Sequence, residues 1–254
     1  MKISPNIKIF KNKDGLKFID INNDKADARI ALQGAHVDWW KPKLIKDDVL
    51  WLSSNARYEK GRSIRGGVPI CWPWFGEHPT DNSFCLHGFA RVIPWELIES
   101  SDLKNGSTKI VLKMIPTKTV RKQLTYNFDL TLSIVVGETL SLNLKTTNLS
   151  DSPFTISEGF HTYFYVSDIE NVKVSPTTIL KISSKLYVSC LLTVSVGIIF
   201  KIIFVAPFFK SLDSINSQGI TLANPCKQKL LSVGCSPNQG QQIGTPPLID
   251  LPFS

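Results

Sequence analysis

No Cys-x-x-Cys pair occurs in this chain, and its five cysteines, at 71, 85, 190, 226 and 235, are odd in number. A structural zinc site and a disulfide framework therefore find no support, and free thiols in a reducing compartment are expected. There is no run of five or six Lys or Arg and no basic stripe interleaved with aromatics. The net charge of +8 favours anionic partners but does not point to nucleic acid, and no nucleic-acid partner is expected. The opening stretch MKISPNIKIFKNKDG lacks the apolar segment of a secretory signal, so a cytoplasmic location is expected. Hydrophobic residues are not scarce. They make up 43% of the 254 residues, enough for a sizeable core and against disorder of the whole chain.

A second set of absences is local. No Glu follows Glu170, no Arg follows Arg121, no His follows His161 and no Trp follows Trp95. From Ser175 onward there are six Lys, two Asp and eleven Ser. Residues 187–209, YVSCLLTVSVGIIFKIIFVAPFF, are nearly all apolar with one Lys inside, long enough for a membrane span. Lys201 at its middle and the β-type sequence before it speak against that use, and a membrane location is not expected. The end, SPNQGQQIGTPPLIDLPFS, reads as loop or disorder. The break divides the chain into 1–174 and an aberrant tail, 175–254. Such a break is what out-of-frame translation of an AT-rich gene would produce.

What is present before the break reads as antiparallel strands. Tyr126, Phe128, Leu130, Leu132 and Ile134 alternate with mostly polar residues, as do Leu140, Leu142 and Leu144 after Gly137-Glu138. A period of two puts one face on a core, and a Gly-first two-residue loop between such runs predicts a hairpin. Asp14-Gly15 and Asn105-Gly106 predict two more turns. No segment here keeps a helical period for long. The stretch 64–95, IRGGVPICWPWFGEHPTDNSFCLHGFARVIPW, reads as a long functional loop.

That loop carries the candidate chemistry. Gly66-Gly67 lets backbone approach a ligand closely, and Pro69 and Pro73 stiffen the path around Trp72 and Trp74. Trp72, Trp74 and Phe75 could stack on the apolar face of a sugar, or they could be core. Arg65 and Arg91 could each hold an anionic oxygen through two donors, or each could sit in a salt bridge. His87 and His161 are candidate acid–base groups near neutral pH, or hydrogen-bonded structural residues. His78, His87 and His161 lack metal-ligand spacing, and no metal is expected.

Four ordered segments carry a resemblance: LQGAHVDWWKP at 32–42, DVLWLSSNARYEKGRSIRGGVPICWPWFG at 48–76, LHGFARVIPWEL at 86–97 and EGFHTYFYVSDIENV at 158–172. Over about residues 1–174 the chain resembles the aldose 1-epimerase superfamily, and within it the hexose-6-phosphate mutarotases. The resemblance implies an all-β, galactose-mutarotase-like antiparallel supersandwich, incomplete at its C-terminal end. It implies interconversion of the α and β anomers of a hexose 6-phosphate by acid–base ring opening, without metal or organic cofactor. By similarity His161 is the general acid, giving a proton to the ring oxygen, while Arg65 and Arg91 contact phosphate and sugar. His87 is carried over as a binding residue, with Leu86 standing where relatives often have Gln. The family's general base is a Glu on a late strand. This chain has none there, and Asp213 and Asp250 lack matching neighbours. Glu158 lies three residues from His161 and on a strand would face the other way, so it is not expected to serve as the base. Activity is accordingly expected to be weakened or lost. A sugar-phosphate-binding protein without catalysis and a membrane-anchored derivative remain the alternatives. Oligomeric state is not readable.

Overall fold

A computed structural model describes residues 3–166, together with the backbone of strands at 174–176, 186–194, 198–206 and 221–223. Strands form where side chains alternate between a core and the outside. Ile7–Lys11 (β1), Lys17–Asn22 (β2), Ala26–Ala31 (β3) and His36–Pro42 (β4) make a four-stranded antiparallel meander. Its first turn is set by Asn12, whose side-chain oxygen accepts from the N–H groups of Asp14 and Leu16 at 3.0 and 2.9 Å, an Asx-type turn.

The larger sheet is built on Trp95–Asp102 (β6), Thr108–Met114 (β7), Phe128–Val136 (β8) and Leu140–Asn148 (β9), each antiparallel to the next. Along β8 burial alternates at every residue, as the sequence period requires. Tyr126 falls outside this strand and stacks instead on Phe154, with ring centroids 4.9 Å apart. The β8–β9 register pairs Val136 with Leu140, so the connection has three residues rather than the expected two. The Asn105-Gly106 turn joins β6 to β7 as expected. A short helix, Lys118–Gln123 (α1), is capped by Thr117, whose hydroxyl accepts from Val120 N–H.

Ile70–Cys71 (β5) pairs antiparallel with Gly159–Phe160 (β10), and Tyr163–Tyr165 (β11) pairs parallel with Thr221–Ala223, the last described strand. Between these lie Val174–Pro176 (β12), Leu186–Val194 (β13) and Ile198–Ala206 (β14), so that the last strand is β15. The seven-stranded sheet runs β12-β13-β14-β9-β8-β7-β6. The β9–β14 and β11–β15 pairs are parallel, because a long intervening chain, not a hairpin, connects each pair. The apolar stretch 187–209 thus lies largely in the β13–β14 hairpin. No helix among the described residues is long and apolar enough to cross a membrane. The readings made for 236–254, Asp213 and Asp250 lie outside the described residues.

The two sheets share one core with Ile19, Ile30, Trp40, Ile110, Leu132, Leu144 and Phe160 inside it. Burying each such side chain contributes roughly 1.5–3 kcal/mol. Polar ties cross the core: Asn23 Nδ2 donates to the Val136 carbonyl at 3.0 Å, and Trp40 Nε1 to that of Gly137 at 3.3 Å.

The stretch 64–95 is not one long loop. Residues 64–74 are buried apart from Arg65. They bridge to β4 at Val37–Val68, to Leu52 at Gly66 and to β10 through β5. One- and two-residue pairings leave no period in a sequence, which is why the alternation does not reveal this strand-like spine. The exposed loop proper begins after Trp74.

Candidate active site

The spine sets the site. Gly159 opposes Cys71 and Phe160 opposes Ile70. The ladder then continues, with His161 N–H donating to the Pro69 carbonyl and Tyr163 N–H to that of Gly67, both at 2.9 Å. On the other side Val68 opposes Val37. Residues 36, 69 and 161 therefore lie in one row across three strands, and 38, 67 and 163 in the next row on the same face. Tyr163 shares a face with His161 because it is two residues further on.

A second wall comes from the turn at 86–88. Trp72 N–H donates to the His87 carbonyl at 3.3 Å, and His87 N–H to that of Gly76 at 2.6 Å. His87 itself has φ of 65°. This brings its ring within 5.4 Å of His161 and 4.9 Å of Phe75, centroid to centroid. Phe75 stacks on His161 at 6.3 Å, and the Tyr163 ring lies 5.0 Å from that of His161. Trp51 backs Tyr163 at 5.9 Å. The result is two imidazoles flanked by half-buried aromatic rings.

The two imidazoles differ. Gly76 N–H donates to His87 Nδ1 at 2.9 Å, so neutral His87 carries its proton on Nε2 and can only donate there. Nδ1 of His161 is buried and finds no hydrogen-bond partner of good geometry. Burial pushes both rings down to about 4, with the Arg91 charge acting in the same direction. Both are neutral at pH 7.

After burial, the largest cause of each shift at the site, Arg91 is the charge that recurs. It lies on a short 3-10 turn, Ala90–Val92, and donates to the Leu86 carbonyl. Its charge disfavours protonation at His36, His87 and His161 and favours the ionised forms of Cys71, Cys85 and Tyr163. Arg65 is exposed, and its charge also reaches Tyr163. Neither arginine is in an ion pair among the described residues.

His36 was not legible as a site residue. It is 1% exposed, neither ring nitrogen has a partner of good geometry, and burial pushes it down to about 3. A Cβ on Gly67 would lie 2.8 Å from its Nε2, so the missing side chain at 67 is the space His36 occupies. The available signal was a histidine set among the apolar residues of 32–42. Trp72 and Trp74 are core, 0% and 5% exposed, whereas Phe75 and Tyr163 are half-buried beside the two imidazoles. His78 turns to its own loop: its Nδ1 accepts from Asp81 N–H at 3.0 Å, and its ring packs on Trp74. Among the described residues no three His, Cys, Asp or Glu are grouped to hold a metal ion. Glu158 is buried and bonded to Thr146, facing the core and not the cleft.

The aldose 1-epimerase family model matches residues 17–190. A "Putative glucose-6-phosphate 1-epimerase" of Salmonella typhimurium is 38% identical over 162 residues, 64% of this chain and 53% of that protein. One of the same name from Escherichia coli is 37% identical over the same shares of both chains. The chain spans about half the length of these curated relatives. The crystal structure of a "putative mutarotase" from Salmonella typhimurium matches with a TM-score of 0.62 at 35% identity, covering 68% of this chain and 56% of that one. A galactose mutarotase-like protein from Clostridium acetobutylicum matches at 0.55 with 18% identity, over 74% and 72% of the two chains, and shares the fold.

Proposed function

This chain belongs to the aldose 1-epimerase family, and from that premise we propose that its cleft binds a hexose 6-phosphate and interconverts the sugar's α and β anomers. One observation carries the reading: His87, His161, Phe75 and Tyr163 converge within ring-contact distance beside Arg91, a cation without a carboxylate partner among the described residues. The names of the relatives support the sugar phosphate as substrate.

Ring opening gives a proton to the ring oxygen and takes one from the anomeric hydroxyl; closure on the other face reverses both. His161 handles the ring-oxygen proton in this scheme, and water takes the proton of the anomeric hydroxyl and returns one on closure. His87 donates Nε2–H to a sugar oxygen, Phe75 and Tyr163 line the apolar face, and Arg65 and Arg91 hold phosphate and sugar oxygens. No step calls for a metal or organic cofactor. A second reading, binding without catalysis, is favoured by the absence of any Glu after Glu170, which leaves no late-strand carboxylate of the family's kind. Polarimetry of freshly dissolved α-glucose 6-phosphate separates the two: a rate proportional to protein concentration supports the enzyme, and the buffer rate alone with saturable binding supports the binder.

Arg91→Ala is expected to raise KM for the hexose 6-phosphate by ~10–100-fold, since a charge-assisted hydrogen bond contributes about 1.5–3 kcal/mol. The KM for the unphosphorylated hexose should move by less than ~2-fold. Equal changes for both sugars would remove Arg91 from the phosphate.

A pH profile follows from the same charge. Protonated His161 is the donor form, and in the free site it is held down to about 4. kcat/KM, which reports the free site, should therefore fall as pH rises above that value. A phosphate on Arg91 offsets the second cause of the depression, so the pKa in kcat should lie above that in kcat/KM for the phosphorylated sugar. No such difference is expected for the free hexose. Coincident values with both sugars would show that phosphate does not meet Arg91.

A further inference from the structure

A buried carboxyl group lies beneath the site and takes no part in the scheme above. Glu158, one residue before β10, is 6% exposed. The hydroxyl of Thr146 on β9 donates to its Oε2 at 3.3 Å and accepts from Trp72 Nε1 at 3.0 Å. Trp72 in turn holds the opposite wall. Besides its bond to the His87 carbonyl, its own carbonyl accepts from the N–H groups of Phe89 and Ala90 at 3.0 and 3.2 Å. The segment leading to His161 is tied to the same loop at Ser157, whose N–H donates to the Pro73 carbonyl and whose hydroxyl oxygen accepts from Phe75 N–H, both at 2.9 Å. The rings of Phe89 and Phe128 pack around Trp72 at 5.5 and 4.7 Å, so this polar chain runs through an apolar core.

We propose that Glu158 is a positioning residue that acts through Thr146 and Trp72 to hold the His87 turn and the His161 segment in register across the cleft. The role rests on the reading of that cleft as a proton-transfer site. Chains of buried hydrogen bonds specify one arrangement when every member is satisfied and fail when a charge enters them. Two titratable groups on the elements around Glu158 are uncharged at pH 7. Cys71 on β5 is pushed up to about 12, and His161 beyond β10 down to about 4. β9 turns Thr146 inward, and its neighbour Lys145 is exposed on the other face. Burial correspondingly raises Glu158 to about 8, against the opposing pull of the Thr146 hydrogen bond. Its contribution to stability is therefore full below the ordinary glutamate range, declines as pH rises above it, and is lost beyond about 8.

The test compares the full chain with Glu158→Gln, which keeps the acceptor but cannot ionise, and Glu158→Leu, which removes both. The readout is the indole N–H resonance of Trp72, assigned by its loss in Trp72→Phe. In the wild type it is expected to shift with a midpoint near 8, and in Glu158→Gln to stay in place between about pH 6 and about pH 9. In Glu158→Leu it should be displaced at every pH, together with the His87 ring signals, with kcat lower by ~10–100-fold and KM within ~2-fold. A Glu158→Gln resonance that titrates like the wild type overturns the proposal, as does a Glu158→Leu protein with Trp72 and His87 signals in the wild-type positions. If Glu158→Leu does not fold, the wild type and Glu158→Gln decide. The resonances need no turnover, so a catalytically silent wild type would remove the epimerase reading and leave this test intact.

Discussion

His161→Ala is expected to lower enzyme-catalysed anomer exchange by ~10²–10⁴-fold, the cost of losing one positioned proton-transfer group. Its ring is placed by backbone, through the N–H bond to Pro69, and bounded by Phe75, His87 and Tyr163. The imidazole makes only ring contacts with them, and its buried Nδ1 has no partner of good geometry to leave orphaned. The variant should therefore fold, with a thermal midpoint within a few degrees of the wild type, and should largely keep the sugar-phosphate binding proposed for Arg65 and Arg91. Saturation-transfer NMR between the two anomeric protons measures the exchange rate, with the buffer rate subtracted. A variant as fast as the wild type would take His161 out of the mechanism. His87→Ala should cost less, because in the proposed scheme a donor fixed by Gly76 contributes binding and orientation while the proton transfer is assigned to His161.

Gly88→Ala should be the most damaging single methyl near the site. Gly88 has φ of 72°, a conformation that costs an L-residue about 1–2 kcal/mol. The added Cβ would also overlap the Trp72 carbonyl and lie 2.8 Å from Pro73 N. That carbonyl cannot swing away freely, because it accepts from both Phe89 and Ala90. Overpacking of this kind costs about 1–3 kcal/mol, giving a total of roughly 2–5 kcal/mol, a large part of the ~5–15 kcal/mol that holds a domain together. Gly61 is the control. Its φ is 76°, but no atom lies within 4 Å of a Cβ placed there, so Gly61→Ala should show the conformational cost alone. Denaturant midpoints of the two variants measure the difference. Equal losses would mean that the turn at 86–88 can move off Trp72, and the rigid second wall described above would be wrong.

Much of this was legible in the amino-acid sequence. The alternation in β8 and β9, the turns at Asp14-Gly15 and Asn105-Gly106, and the four ordered motifs point to an all-β chain of the aldose 1-epimerase family, with His87, His161, Arg65 and Arg91 as its candidate chemistry. Local rules suffice there, because a period of two and a turn residue act over a few positions. Tyr163 was within reach of the same rule, two residues beyond His161.

The remainder depended on contacts between residues far apart in the chain. Trp72 could have stacked on a sugar or filled the core, and it is in the core because Thr146, 74 positions later, accepts its indole N–H while Phe128 closes over its ring. His36 gives no sign of sharing a row with His161, because the connection runs through Pro69 across a one-residue bridge and a two-residue ladder too short to leave a pattern. Nor does the sequence show that His87 can only donate, since that follows from one backbone N–H at Gly76. Composition and period determined which residues face inward. Tertiary structure decided which of them meet, and through burial and the single charge of Arg91, which of them carry a proton at neutral pH.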